Sequence, residues 1–359
     1  MSITLARRSL LGNAVRTIGG SLAISGLWRS ARAQIQTSES APALKPIAIW
    51  SASYHTKRGD VSLYLFRKRL LEPVPGQRAL PVLLLAHGSS VSSRPSFDLS
   101  VPGHGEYSLM DEFAGYGFDV WTLDFEGYGR SSRTSGNSDV ASGVEDLKAA
   151  ATIVTRETGE TSLHLYGESG GALRAGAYAM VFPERVRRLV LVSFTWTGKG
   201  SSTLEKRAES VSYYRTHNRR PRDRNMIRSI FTRDKPGTSD PAVAEAMADA
   251  ELQFGDTVPT GTYLDMTTKL PIVDPLQLHM PVLILRGEYD GIASEEDLLS
   301  FFTKLPVPDR EFAVLPGASH SVALGVSRTQ LWHVMRAFLE MPPRPDSVKR
   351  YQSPPSQLY

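Results

Sequence analysis

Gly167-Glu168-Ser169-Gly170-Gly171 places one hydroxyl among three glycines, behind the apolar run Leu163-His164-Leu165-Tyr166 and ahead of a helix-like stretch from Ala172 to Val181. The order predicts a strand that turns abruptly into a helix. Such a turn needs residues without bulky Cβ groups on both sides of the serine. The helix would aim its free N–H groups and the positive end of its dipole back at the hydroxyl, where an oxyanion forms if serine attacks a carbonyl. A serine hydroxyl is a weak nucleophile at neutral pH. Acyl transfer therefore also needs a neutral imidazole to take the proton and a carboxylate to orient that imidazole. The bare pattern also fits an idle glycine-rich turn, so its partners decide.

The elements that would position such partners follow a regular beat. Ile47 to Ser51 and Val61 to Phe66 read as strands around a Lys57-Arg58-Gly59-Asp60 turn, and Leu80 to Ala86 is a continuous apolar run ending in His87-Gly88. Continuous apolarity implies a strand covered on both faces. A helical pattern from Tyr107 to Tyr116 precedes the strand Phe118 to Asp124, and a second from Val140 to Thr158 precedes Leu163 to Tyr166. Gly170 to Phe182 supplies the next helix and Val186 to Phe194 the next strand. From Thr195 to about His279 the rhythm breaks into a polar, helix-prone, proline-punctuated stretch. It resumes with a strand at Met280 to Arg286, a helix at 294–304, a strand at 310–315 and a closing helix from Val322 to Leu339.

This layout resembles the α/β-hydrolase superfamily over about residues 60–194 and 280–340, with the serine turn at Gly167 to Gly171. The resemblance implies an α/β fold, a mostly parallel central sheet flanked by helices, with a largely helical cap inserted at 195–279 between core segments 47–194 and 280–340. It also implies a serine nucleophile at Ser169, an acid after a late strand and a histidine after the last one. His320, in Leu315-Pro316-Gly317-Ala318-Ser319-His320, holds the histidine position, and Asp290, in Gly287-Glu288-Tyr289-Asp290, matches the family's G-x-x-D acid. Glu288 and Asp297 are the competing carboxylates. The two oxyanion donors map to the backbone N–H groups of Gly170 and Ser89, with Ser90 as the neighbour that a one-residue shift would select. His87 then braces its loop, and Asp124-Phe125-Glu126-Gly127-Tyr128-Gly129-Arg130-Ser131 matches a recurring family stretch with a structural role.

The resemblance points to a carboxylic ester as the bond cleaved, with a small-molecule ester as the binding partner and no cofactor. A proline-iminopeptidase-like aminopeptidase and a C–C bond hydrolase are the alternative activities. A non-catalytic ligand-binding relative would show a broken triad, whereas Ser169, Asp290 and His320 all stand where the family needs them. In capped relatives the insertion builds the substrate pocket. Here it carries the aromatic residues Trp196, Tyr213, Tyr214, Phe231, Phe254 and Tyr263, which would line a cavity or fill the cap core. Its basic run Arg215, Arg219, Arg220, Arg222 and Arg224 would attract a carboxylate or form a solvated loop.

The chain has 359 residues, 41% hydrophobic and 22% charged, which suits one large globular domain with an insertion. Residues 1–33 read separately. Ala6-Arg7-Arg8-Ser9-Leu10-Leu11, an apolar stretch from Thr17 to Trp28 and Ala31-Arg32-Ala33 resemble a twin-arginine export signal, implying a periplasmic or secreted protein without stable membrane insertion after cleavage. Five arginines and no acidic residue in that segment remove +5 from a net +4, leaving −1 beyond it, so nothing asks for nucleic acid. Zero cysteines exclude disulfides and a thiolate nucleophile, and no H-E-x-x-H or comparable cluster points to metal. Residues 34–46 are expected to form a flexible N-terminus and 341–359 a proline-rich tail.

Overall fold

The computed structural model describes residues 48–343, so the expected export segment, the linker at 34–46 and all but the first three residues of the tail lie outside the described residues. In chain order the elements are β1 (Ile49–Arg58), β2 (Val61–Leu70), β3 (Val82–Ala86), α1 (Ser93–Phe97), α2 (Leu109–Gly115), β4 (Asp119–Leu123), α3 (Val140–Thr158), β5 (Leu163–Glu168), α4 (Gly170–Val181) and β6 (Val186–Val192). The segment 195–279 follows with α5 (Ser202–Ala208), α6 (Val211–Thr216), β7 (Arg219–Pro221), α7 (Arg224–Thr232), α8 (Pro241–Leu252), β8 (Thr257–Pro259) and α9 (Gly261–Thr268). The chain then returns through β9 (Val282–Gly287), α10 (Glu295–Lys304), β10 (Arg310–Leu315) and α11 (Arg328–Glu340). Among the described residues, no helix is long and apolar enough to cross a membrane.

Eight strands form one sheet in the order β1-β2-β4-β3-β5-β6-β9-β10, antiparallel at β1-β2 and β2-β4 and parallel from β4 to β10. The fold is the mostly parallel, helix-flanked sheet expected from the strand-helix beat. Its interior strands are apolar on both faces because both are covered. In β3, Leu84 and Ala86 pack into the layer with Leu147 and Val154 of α3 and Leu173 of α4, while Leu83 and Leu85 pack against Phe113 of α2 and Met335 of α11. Local signals set the helix ends. Asp139 caps α3 by accepting from the Ser142 N–H at 2.8 Å, and Gly159 ends it in the left-handed conformation at φ 77°.

Chain direction across the sheet fixes where a site can form. From β3 the chain steps to β4 on one side, and then crosses back to β5 on the other, so the loops after β3 and β5 leave a crevice at the carboxyl ends of the strands. Two local expectations differ from the structure. The first hairpin is longer than expected, ten residues per strand with a continuous register from Ile49 opposite Leu70 to Arg58 opposite Val61, because its polar outer strand lacks the apolar pattern that marks buried strands. The closing helix is broken into a short 3-10 turn, Val322–Leu324, and α11. Leu324 packs with Ile227 and Phe231 of the inserted segment, while Val322, Ala323, Leu331, Met335 and Phe338 pack under the sheet, and the break lets Leu324 turn to the other core. The Val326 N–H ties this break to the Thr238 carbonyl at 2.9 Å.

Candidate active site

Ser169 stands between β5 and α4 with φ 56° and ψ −120°, a conformation that costs a side-chain-bearing residue on the order of 1–3 kcal/mol. The surroundings enforce it. The Ser169 N–H donates to the Val192 carbonyl at 2.9 Å, and α4 approaches β3 so closely that a Cβ on Gly171 would lie 2.1 Å from the Ala86 carbonyl oxygen. The glycine is therefore what lets helix and strand meet at the turn. Gly170 has a different neighbour, since a Cβ there would lie 2.1 Å from Ser89 Oγ, which brings the loop after β3 against the first turn of α4.

His320, on the loop after β10, and Asp290, on the loop after β9, converge on this turn. His320 Nε2 lies 3.0 Å from Ser169 Oγ, and His320 Nδ1 lies 2.9 Å from Asp290 Oδ1. With Nδ1 donating to the carboxylate, Nε2 presents its lone pair to the serine hydroxyl. All three residues are buried. Burial alone would push the Asp290 carboxyl up, but the facing imidazole of His320 and the Ile292 N–H, at 2.9 Å, more than offset it and hold the group below the usual carboxylate range. The loops are also tied together, with the Tyr289 N–H donating to the Ala318 carbonyl at 2.9 Å and the Ser193 hydroxyl to the His320 carbonyl at 2.7 Å.

The competing carboxylates are engaged elsewhere. Glu288 is a surface group that accepts from the Gly317 N–H at 2.8 Å, and Asp297 accepts from the backbone of Thr197 at 3.0 Å. The two candidate oxyanion donors lie together, because Gly170 opens α4 and its N–H has no partner within the helix, and the Ser89 N–H borders it across the crevice. Ser89 is held by its carbonyl, which accepts from Tyr128 Oη at 2.8 Å, whereas Ser90 turns its hydroxyl to Tyr263 Oη at 2.7 Å.

His87 and the Asp124 stretch brace this loop from behind. The His87 Nδ1–H donates to the Gly88 carbonyl at 2.8 Å and Nε2 accepts from the Phe125 N–H at 3.2 Å; burial, with Arg174 nearby, pushes the imidazole down to about 3. Asp124 accepts from the Ser93 N–H at 2.9 Å and the Ser93 hydroxyl at 2.6 Å.

Three site residues had no distinguishing signal in the sequence. Glu168, beside the serine, accepts from Tyr166 Oη at 3.1 Å; burial and, to a lesser degree, Asp290 push its carboxyl up to about 7. Asp234, just after α7, brings a carboxylate oxygen within 4.8 Å of the nearest ligating atoms of both Asp290 and His320. A positive charge developing on the imidazole would thus face two carboxylates. Arg207, on α5, enters the pocket wall across from Ser169, with Arg233 beside it. The basic run singled out from sequence is largely spent on structure. Arg222 pairs with the buried Glu251, Arg224 with Glu245 and Asp249, and Arg219 donates to the Gly127 and Thr257 carbonyls. Of the aromatic set, Tyr214, Phe231 and Tyr263 are buried in the cores, and none of the six lines the pocket at Ser169.

Comparison with known proteins agrees with this architecture. Residues 102–324, more than half of the chain, match the family model described as "Serine aminopeptidase, S33". A stretch of 72 residues is 42% identical to the (lyso)-N-acylphosphatidylethanolamine lipase of Mus musculus, covering 20% of this chain and 21% of that protein, so the chain spans about a fifth of the relative's length. Among solved structures, a bromoperoxidase from Bacillus anthracis superposes with a TM-score of 0.59 at 18% identity, covering 81% of this chain and all of that one. The carboxylesterase CesB from Bacillus subtilis superposes with a TM-score of 0.56 at 18% identity over 82% of this chain and 93% of that one. At such identities the likeness is one of fold. The protein is a hydrolase of the α/β-hydrolase superfamily and belongs to its serine aminopeptidase S33 family.

Proposed function

We propose that the protein is an exported serine hydrolase that cleaves a carboxylic ester through an acyl-enzyme on Ser169. The observation that carries this reading is the hydrogen-bonded line from Asp290 Oδ1 through His320 to Ser169 Oγ, with spacings of 2.9 and 3.0 Å. Ser169 Oγ attacks the ester carbonyl as His320 Nε2 takes its proton, and Asp290 stabilises the imidazolium formed. The oxyanion is received by the N–H groups of Gly170 and Ser89, aided by the dipole of α4. The imidazolium then returns its proton to the leaving alcohol. Water, activated by the same imidazole, releases the acid and restores the hydroxyl.

The family description keeps aminopeptidase activity as the second reading. An aminopeptidase must hold a substrate ammonium group near the scissile bond. The pocket wall carries Arg207 and Arg233, and its one carboxyl among the lining residues, Glu168, is pushed up to about 7, an arrangement that disfavours a third cation. Ester cleavage is therefore the better-supported reading. Labelling by a fluorophosphonate tests the chemistry: the intact protein should be labelled and Ser169→Ala should not, whereas labelling that survives this substitution would remove Ser169 from its role. Ester and aminoacyl-arylamide substrates, assayed side by side, separate the two activities. Export is supported by Arg7-Arg8 and Ala31-Arg32-Ala33. Replacing both Arg7 and Arg8 by lysine should retain the precursor in the cytoplasm, and an unchanged periplasmic yield would count against the signal.

A further inference from the structure

The chain has a consistent way of handling buried arginines, and the half-buried Arg207 departs from it. Arg67 makes a two-point contact with Asp119 at 2.8 and 2.5 Å, and Arg222 pairs with Glu251. Among the described residues, Arg174 and Arg188 lack a carboxylate partner within ion-pair distance but donate to the carbonyls of Ser138 at 2.6 Å and Met341 at 2.7 Å. Arg207 has neither kind of partner among the described residues. Its one polar contact is Nη1 to the Met266 sulfur at 3.4 Å, a weak acceptor, and its guanidinium lies 5.0 Å from the Tyr263 ring centre. Arg220 approaches the same ring at 4.9 Å.

The charges around Arg207 make the departure costly. Burial, followed by the like charge of Arg233, pushes the Arg207 guanidinium down to about 10, and Arg220 acts in the same direction. It is still a cation at neutral pH. Arg233 is itself part-compensated, with Nε 3.6 Å from Asp234 Oδ1. A half-buried cation without a carboxylate partner, beside the half-buried Arg220 and the exposed Arg233, has donors free for an arriving anion. The place where one would arrive is defined, because Arg207 and Arg233 line the same pocket as Ser169 and His320. Glu168, the one carboxyl on that wall, is pushed up to about 7 and so is only partly ionised near neutrality.

We propose that this pocket takes a short ester whose acyl or alcohol part carries a carboxylate, and that Arg207, assisted by Arg233, is the group that binds that carboxylate. The guanidinium fork matches a carboxylate with two parallel N–H···O bonds. The cavity of about 50 Å³ between Ser169 and Arg207 holds a few waters and suits a compact acid. The inference rests on the ester hydrolase reading for the reaction, but carboxylate binding can be measured without turnover.

Two matched substrate pairs test it: 4-nitrophenyl hemiglutarate against 4-nitrophenyl butyrate for a carboxylate on the acyl side, and 4-acetoxybenzoate against its methyl ester for the alcohol side. In the intact protein kcat/KM should favour the charged member of one pair by about 10- to 100-fold, expressed mainly in KM. Arg207→Met should bring that ratio close to one, with Arg233→Met lowering it less and Arg207→Lys retaining part of it. A ratio at or below one for both pairs, or a ratio unmoved in Arg207→Met and Arg233→Met, overturns the proposal. An equal loss on both members of a pair would make Arg207 structural and overturns it too. Calorimetry of monomethyl glutarate binding to Ser169→Ala separates the two readings. Binding that weakens at least tenfold when Arg207→Met is added supports the carboxylate site even if no ester is turned over. Absence of binding to Ser169→Ala, when the fluorophosphonate labels the intact protein, removes the site and leaves the hydrolase. Binding of glycerol 3-phosphate without monomethyl glutarate would assign the pocket to phosphate instead and overturn the carboxylate.

Discussion

The sheet and the inserted segment are built by different means. Under the sheet, cohesion comes from apolar side chains that alternate between two layers, such as Leu83 and Leu85 below β3 and Leu84 and Ala86 above it. The inserted segment shares an apolar cluster around Ile227, Phe231, Val243 and Met247 with Leu99, Val101 and Leu324, and sends Leu204, Tyr214, Tyr263 and Met266 into the sheet layer, but it adds buried polar ties to these contacts. Glu251 accepts from the Ser92 N–H and hydroxyl, both at 2.5 Å, while pairing with Arg222, which also reaches the Ser90 carbonyl at 3.2 Å. Asp265 receives the Val140 N–H at 2.8 Å at the start of α3. Ser169, Asp290 and His320 are thus carried by the sheet, and Arg207, Arg233 and Asp234 come from a segment whose apolar contacts are supplemented by buried ion pairs. On the proposed reading, the chemistry would belong to rigid strand ends and selection of the substrate to the inserted segment.

The sharpest way to break that division is at the imidazole, where each region contributes a carboxylate. Asp290→Asn should lower kcat on a short 4-nitrophenyl ester by about 10⁴-fold, because the amide no longer fixes the tautomer that presents Nε2 to Ser169. Asp234→Asn, from the inserted segment, should cost no more than about tenfold, as its oxygen lies near the pair without a hydrogen bond to His320. Comparable losses in the two variants would show that catalysis is shared with the insertion.

The next effect is on stability. Arg222→Met leaves Glu251 buried without its cation, and should destabilise the protein by about 3–5 kcal/mol in urea unfolding. Burial already pushes the Glu251 carboxyl up although Arg222 pulls it down, so the lone group would be driven further towards its neutral form. Adding Glu251→Gln should recover a large part of the loss. A change below about 1 kcal/mol in the single variant would mean that the insertion is held by its apolar core, and the contrast between the regions would fail.

The same contrast explains what could be read from the chain. Continuous apolar runs such as Leu83 to Ala86 and Leu189 to Val192 declare buried parallel strands, and once the strand order is inferred the loops after β3, β5, β9 and β10 must share one edge. Ser169, Asp290 and His320 were legible because each follows such a run. Arg207, Asp234 and Glu168 were not, since a charged residue next to a helix looks the same whether it faces solvent or a pocket. Five arginines in the run 215–224 attracted attention by their density, yet the arginines that line the pocket lie outside it. The 3-10 break at Val322–Leu324 escaped notice for a related reason, as the periodicity continues through it and only the inserted segment makes Leu324 face another core.

A smaller effect distinguishes how dry the sheet layers are. His164 lies inside β5, buried, with Nδ1 lacking a hydrogen-bond partner among the described residues, and burial pushes its imidazole down to about 3 from 6.5. A lowered folded pKa gives stability that is present above the unfolded value of 6.5 and is lost as pH falls towards 3. One such histidine removes about 2 kcal/mol between pH 7 and pH 5, since each pH unit below the unfolded value costs about 1.36 kcal/mol. His164→Leu should therefore shrink the pH 7 to pH 5 loss by about 2 kcal/mol, whatever its own stability at neutral pH, with His87 left to carry a similar dependence at the site. Urea midpoints of both proteins at the two pH values read this directly. An undiminished loss in His164→Leu would mean that water reaches β5 and that the sheet is not the dry frame its side-chain pattern implies, whereas a loss confined to the histidines would place the acid sensitivity of the fold in the sheet and leave the ion pairs of the insertion intact over the same range.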